Sequence, residues 1–171
     1  MREKNFMKKT KLFMYNFTRS LLAYVVSIAV GFMALSIRNH ATWTSNFVPH
    51  ASPPTPVWVE IMMWFFILLV VALYFALGTR LKSLGSHWRN YLSVCGTFVI
   101  ALLLVLAALY MHWINYLLIF VQAPFPALVV LLSGSIQNYY IVTVILAFIP
   151  SITIWFGMLW QSRKQESDAR K

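Results

Sequence analysis

Hydrophobic positions in this chain are grouped into long blocks with almost no charged residues inside them. Four blocks occupy residues 20–37, 57–77, 91–113 and 141–160. A bilayer core of about 30 Å needs roughly 20 apolar residues in a helix that rises 1.5 Å per residue. The pattern therefore predicts an all-α, polytopic integral membrane protein built as a four-transmembrane-helix bundle.

A further uncharged stretch, residues 114–140, lies between the third and fourth blocks. Its first part, 114–132, is apolar enough to pass as a fifth span. However, Pro124 and Pro126 interrupt its middle, and proline breaks a helix interior. We therefore interpret the stretch as a re-entrant or interfacial segment. It is expected to pack against the bundle, because irregular backbone at membrane depth must find protein or water partners.

The basic residues predict the orientation of the spans. With four spans, thirteen of the fourteen lysines and arginines lie on one side, and only Arg38 lies on the other. Basic loops stay in the cytoplasm, so the N-terminal segment 1–19 and the tail 161–171 are both predicted to be cytoplasmic. The expected location is a cell membrane of the bacterial cytoplasmic type. A fifth span would place the four bases of the tail outside, against the same rule.

Composition agrees with the membrane assignment. Sixty per cent of the 171 residues are hydrophobic and 11% are charged, whereas soluble domains carry about 25% charged residues. The net charge of +10 would suit a nucleic acid, but the bases flank apolar blocks, where they meet lipid headgroups instead. No nucleic-acid partner is expected. The single cysteine, Cys95, allows no intramolecular disulfide.

Small residues predict how the spans pack, because helices in lipid associate through close approach of small side chains. The first span carries Ala23, Ser27 and Gly31 at four-residue spacing, and the fourth carries Thr143, Ala147 and Ser151. In the third span one arc of about 160° holds Ser93, Gly96, Thr97, Ala101, Ala107, Ala108 and His112. The opposite side, expected to face lipid, holds Phe98, Val99, Leu102, Leu103, Val105, Leu106, Leu109 and Tyr110.

Pro150 lies in the middle of the fourth span. It cannot donate a backbone hydrogen bond to the carbonyl of Leu146, so a helix kink is predicted there. The kink is interpreted either as a functional hinge or as ordinary packing.

Ionisable residues on the predicted outer side form the one candidate site. Glu60 is the only acid outside the terminal segments, and it lies between Trp58 and Trp64, one turn into the second span. Such tryptophans are typical of the membrane interface. The predicted topology brings Glu60 to the same depth as three bases, namely Arg38, His50 and His112. We predict that Glu60 pairs with Arg38 or His112 and ties the outer ends of the bundle together, with a ligand or proton site as the alternative.

The same cluster, with His40, could supply nitrogen and oxygen ligands, but no spacing typical of a metal site is present, and none is predicted. Paired carboxylates, a nucleophile elbow and a phosphate-binding glycine loop are also absent from the sequence. With a single acid outside the ends, acid–base and metal-assisted hydrolysis have almost no residues to use. The chain is therefore predicted to be no enzyme and to need no cofactor.

Two functions are predicted from this organisation. The first is a non-enzymatic subunit or accessory or assembly factor, surrounded by the lipid bilayer and packed through its small-residue faces against a membrane-protein partner or a second copy. The alternative is a small oligomeric transporter or channel that uses Arg38, Glu60, His112 and the 114–140 segment, because re-entrant segments often line pathways. An immunity or resistance factor is a third reading, for which no specific motif is present.

Overall fold

The computed structural model describes residues 2–45, 56–111, 115–125, 128–129, 132 and 139–168. Across these ranges every regular element is a helix and none is a strand. The helices are α1 (Arg2–Ser45), α2 (Val57–Arg80), α3 (His87–Leu92), α4 (Gly96–Tyr110), α5 (Asn115–Gln122) and α6 (Tyr139–Asp168).

Three of these helices are long and apolar enough to cross a bilayer. Their apolar stretches cover Lys9–His40, Val57–Arg80 and Tyr140–Gln165, and the 18-residue windows within them have mean hydropathies of 2.2, 2.5 and 2.2. They correspond to the first, second and fourth predicted spans. This is the make-up of a helical membrane protein, as the sequence predicts.

The third predicted span is not one helix. Helix α3 ends at Leu92, residues 93–95 form a turn, and α4 begins at Gly96. The Ser93 hydroxyl donates to the Asn90 carbonyl at 2.8 Å, a local bond that competes with the helical ladder. Helix α4 has 15 residues and is therefore about 22 Å long, shorter than the hydrocarbon core. The sequence pattern overestimated its continuity.

Helices α1 and α2 run antiparallel. Asn16, near the beginning of α1, donates to the carbonyl of Lys82, just after α2. Further along α1, Ala34 packs with Val59, near the beginning of α2. The N-terminal part of α1 therefore lies beside the end of α2, at the same end of the bundle.

Helices α4 and α6 also run antiparallel. The hydroxyls of Thr97 and Ser151 lie 3.1 Å apart, and Ala108, at the other end of α4, lies in one apolar cluster with Tyr140. The indole of Trp155, further along α6, donates to the carbonyl of His87. The α2–α3 loop, the beginning of α1 and the second half of α6 thus share one end of the molecule, which we call the basic end.

The predicted small-residue faces are buried. Ser27 and Gly31 in α1 and all three predicted residues of α6 have little or no exposure, while Ala23 is half-buried. In α4 the predicted packing face is buried at Gly96, Thr97, Ala101 and Ala108. The bulky face is exposed at Val99, Leu102, Leu103, Leu106 and Tyr110, but Val105 is buried, contrary to the prediction.

Two glycines allow α2 and α6 to come into direct backbone contact. A Cβ on Gly78 would overlap the carbonyl of Ile154, and a Cβ on Gly157 would lie 2.9 Å from the Cα of Gly78. No side chain larger than hydrogen fits between the helices at this crossing, which is the close approach expected of small residues in lipid.

Candidate functional site

Only part of the predicted outer cluster lies among the described residues. Arg38 lies half-buried near the end of α1, and Glu60 lies exposed in the first turn of α2. His50 and His112 lie outside the described residues. The ion pair of Glu60 with Arg38 or His112 therefore stays a prediction.

Glu60 is exposed at the start of α2, next to both buried and exposed residues. Its neighbours Val59 and Met63 are buried in the bundle, whereas Trp58 and Trp64 are exposed together with Glu60. At 100° per residue the Trp64 indole lies about 40° from the carboxylate around the helix, whereas Trp58 lies about 160° away, at the same end of α2. A charged group among exposed aromatics is typical of the headgroup level of a membrane.

Among the His, Cys, Asp and Glu residues that the structure describes, no group of three lies close enough to hold a metal ion. His50 and His112 lie outside the described residues.

The core between α1 and α2 contains uncharged polar groups that bond to one another. The Tyr24 hydroxyl donates to the carbonyl of Val121 at 2.8 Å. The hydroxyls of Ser27 and Tyr74 are hydrogen-bonded across the two helices, and Ser27 also donates to the Tyr24 carbonyl at 2.7 Å. Polar groups in a dry interior are costly unless they are paired, and these are paired.

A second polar layer connects α4, α5 and α6. The Gln122 amide donates to the Thr143 hydroxyl at 2.8 Å. The Ser151 hydroxyl lies next to Thr97 and donates to the carbonyl of Val94 at 3.2 Å. Ser151 follows Pro150, which lies inside α6 with helix on both sides. The predicted kink is not tested by these contacts.

The segment after α5 lies deep in the molecule. Residues 121–125 are all buried, and a Cβ on Gly31 of α1 would overlap the carbonyl of Ala123 and lie 2.8 Å from the nitrogen of Pro124. The irregular backbone therefore rests directly on α1. The predicted packing of this segment against the bundle is confirmed for its described part.

A hydrogen-bonded cluster fixes the loop at the basic end. The Asn16 amide, which is fully buried, donates to the carbonyl of Lys82 at 3.0 Å and to the Ser93 hydroxyl at 3.4 Å. Asn90 accepts from the backbone N–H of Leu84 at 2.7 Å and donates to the Ser83 hydroxyl at 3.1 Å. The Asn16 Oδ1 has no hydrogen-bond partner within the described part of the chain.

Beside this loop a cleft of about 330 Å³ opens between α1 and α3. Lys9 and Arg89 contribute its charges, Thr10 a hydroxyl, and Phe13 and Leu84 its apolar wall. The two bases come from distant parts of the sequence, so the cleft exists only in the folded chain.

Sequence reasoning missed most of these polar residues. Asn16 was placed in the basic N-terminal segment, and Tyr24 and Tyr74 were counted as ordinary span residues. A signal was available in α1, where the buried face repeats every three or four residues. Its members are Asn16, Ser20, Tyr24, Ser27, Gly31 and Ala34.

Comparison with protein-family models, curated proteins and solved structures gave no match. The function is therefore argued from the chain itself.

Proposed function

We propose that this chain is a non-enzymatic multi-pass membrane protein that acts as a subunit or assembly factor of a membrane complex. The observation that carries the proposal is the exposure of Glu60 in the first turn of an apolar helix. Ionisable residues of membrane helices are usually paired, and a basic group of a partner or a second copy would pair with this carboxylate. Pairing with Arg38 of the same chain is the competing arrangement.

Because the small-residue faces are buried within the chain, a partner would contact a different surface. The stripes of α1 and α6 are used inside the chain, so they are not available for a second protein. The apolar windows of α1 and α2 are 28% buried each, against 50% for α6. The partner is accordingly expected on the bulky outward faces of α1 and α2, near Val26, Ile61 and Phe65.

The proposed topology has four crossings, with α3 and α4 together as the third and residues 114–140 as a re-entrant segment. Two contacts support it. Leu118 packs with Ala108 near the end of α4, and Val121 packs with Ala101 nearer its middle, so α5 returns along α4 into the bundle. Tyr140 again packs at the level of Ala108, and both chain termini are then cytoplasmic.

The subunit proposal is tested by purifying the tagged full chain in mild detergent and identifying retained proteins by mass spectrometry. The expected result is a stoichiometric partner, or a second copy, that is lost in Glu60→Gln and kept in the matched acid variant Asp168→Asn. A chain that purifies alone, or a partner held equally by both variants, would contradict the proposal.

A small transporter or channel is the second candidate. The third crossing is broken at residues 93–95, and the Ala123–Pro124 backbone lies inside the bundle near the Tyr24 and Tyr74 hydroxyls. Discontinuous helices with irregular interior backbone are typical of transport sites.

Proteoliposomes that contain the purified chain and a pH-sensitive dye test this candidate. Proton or potassium flux that falls in Tyr74→Phe, but not in Tyr110→Phe, would favour transport, because Tyr74 is buried and Tyr110 is 88% exposed. Flux equal to that of empty liposomes would count against it.

A further inference from the structure

We propose that the cleft at the basic end binds the phosphate group of an anionic phospholipid. The proposal goes beyond a role as subunit or transporter and rests on the membrane assignment alone. The cleft brings Lys9 and Arg89 to one opening of about 330 Å³. Among the described residues that line it, none is acidic.

The chemistry of the lining suits a phospholipid. Lysine and arginine both bind phosphate, arginine as a planar fork and lysine as a point charge. Thr10 adds a hydroxyl, while Phe13 and Leu84 supply an apolar wall for the first methylenes of an acyl chain. A free phosphate ion would use the bases but gain nothing from this wall.

The depth of the cleft also fits. Lys9 is seven residues before the buried Asn16. It therefore lies about 10 Å closer to the N-terminal end of α1 than Asn16 does. Next to Arg89, Trp88 is 67% exposed, and its ring stacks on Tyr91 at 6.0 Å. Exposed indoles mark the headgroup level of a bilayer, which is where phospholipid phosphates lie.

The wall of the cleft is held in place before any ligand arrives. Leu84 is fixed by its backbone N–H bond to Asn90 at 2.7 Å, and the carbonyl of Arg89 accepts from the backbone N–H of Ser93 at 3.0 Å. Ser93 in turn accepts from Asn16 of α1. Such preorganisation reduces the entropic cost of binding.

The test compares two double variants of the full chain that have the same net charge. Lys9→Gln with Arg89→Gln removes the cleft bases. Lys11→Gln with Arg80→Gln removes two exposed bases outside its lining, and Lys11 points about 200° away from Lys9 around the same helix.

Binding of phosphatidylglycerol to each protein in detergent is followed by native mass spectrometry and by thermal stabilisation. Each base near a membrane surface strengthens lipid binding about fivefold. The cleft variant lacks two bases and is therefore expected to bind about 30-fold more weakly than the parent chain. The affinity of the control variant should differ from that of the parent by less than about threefold, because the two bases that it lacks attract the lipid only at long range, through screened charge.

Two further arms and one comparison interpret the result. Lys9→Arg with Arg89→Lys keeps both charges and should retain binding, which separates loss of the site from loss of folding. Equal weakening in the cleft and control variants would overturn the proposal, since it would mean non-specific attraction. Stabilisation of the parent chain by inorganic phosphate as strong as that by phosphatidylglycerol would overturn the assignment to a lipid.

Discussion

Replacement of Gly31 by alanine tests the buried turn that rests on α1. The added Cβ would overlap the carbonyl of Ala123 and lie 2.8 Å from the nitrogen of Pro124. Both neighbours are backbone groups, which cannot rotate away as a side chain can. The helix and the turn must therefore separate, and the hydrogen bonds on either side of the contact are strained with them.

The magnitude follows from three contributions. Overpacking of this kind costs about 1–3 kcal/mol, and a backbone overlap belongs at the upper end. Weakening of the Tyr24–Val121 and Gln122–Thr143 hydrogen bonds adds about 0.6 kcal/mol each, the average for bonds between helices in membranes. The higher helix propensity of alanine offsets this loss of stability by about 1 kcal/mol. The free energy of unfolding should fall by about 2–3 kcal/mol, from the difference between these values.

Thermal unfolding of the purified chain in mild detergent, followed by tryptophan fluorescence, measures the effect. At about 2–4 °C per kcal/mol for a chain of this size, Tm should fall by about 5–10 °C. Gly96→Ala is the matched control, because the atoms nearest to its Cβ would belong to the ring of Phe17, at 2.5 Å, and that ring can turn. An unchanged or raised Tm in Gly31→Ala, or equal losses in both variants, would refute the close contact between α1 and the turn.

Three other predictions concern the basic end and the topology. Asn16→Ala removes a donor to the buried carbonyl of Lys82 and should lower the free energy of unfolding by about 1–3 kcal/mol, measured by the same fluorescence assay; full retention of stability would contradict the bond. Gly85 has a φ of 80° and open space around its Cα. Its replacement by alanine should lower the free energy of unfolding by about 1–2 kcal/mol through backbone strain alone, and a neutral result in that assay would contradict the left-handed conformation. Cysteines introduced at Ser52 and Ser135 should both be labelled from outside intact cells by an impermeant maleimide, and protection of either would contradict four crossings.

Long apolar blocks made the first, second and fourth spans predictable from the sequence. The second was predicted at 57–77, and α2 occupies Val57–Arg80, because a proline loop before it and bases after it mark both boundaries. The small-residue faces could also be predicted, since a helix places every third or fourth residue on one side. Val105 departs from that rule because it packs against Leu118 of α5, a neighbour that helical periodicity alone does not include.

The candidate sites were predicted less well. Glu60 and Arg38 were identified because charges are rare in apolar blocks, but no pattern in the sequence showed that Glu60 is exposed while Arg38 is half-buried. The cleft was missed entirely, since Lys9 and Arg89 are 80 positions apart and meet only when the α2–α3 loop bonds to α1.

The sequence by itself determined that this is a helical membrane protein with long apolar blocks and basic flanks, because burial in lipid is decided by local composition and length. The tertiary structure decided where the third block breaks, how Asn16 and Tyr24 are paired, and which backbone groups lie against Gly31. Those features depend on hydrogen bonds and steric contacts between residues that are distant in the chain, and local composition carries no information about such pairs.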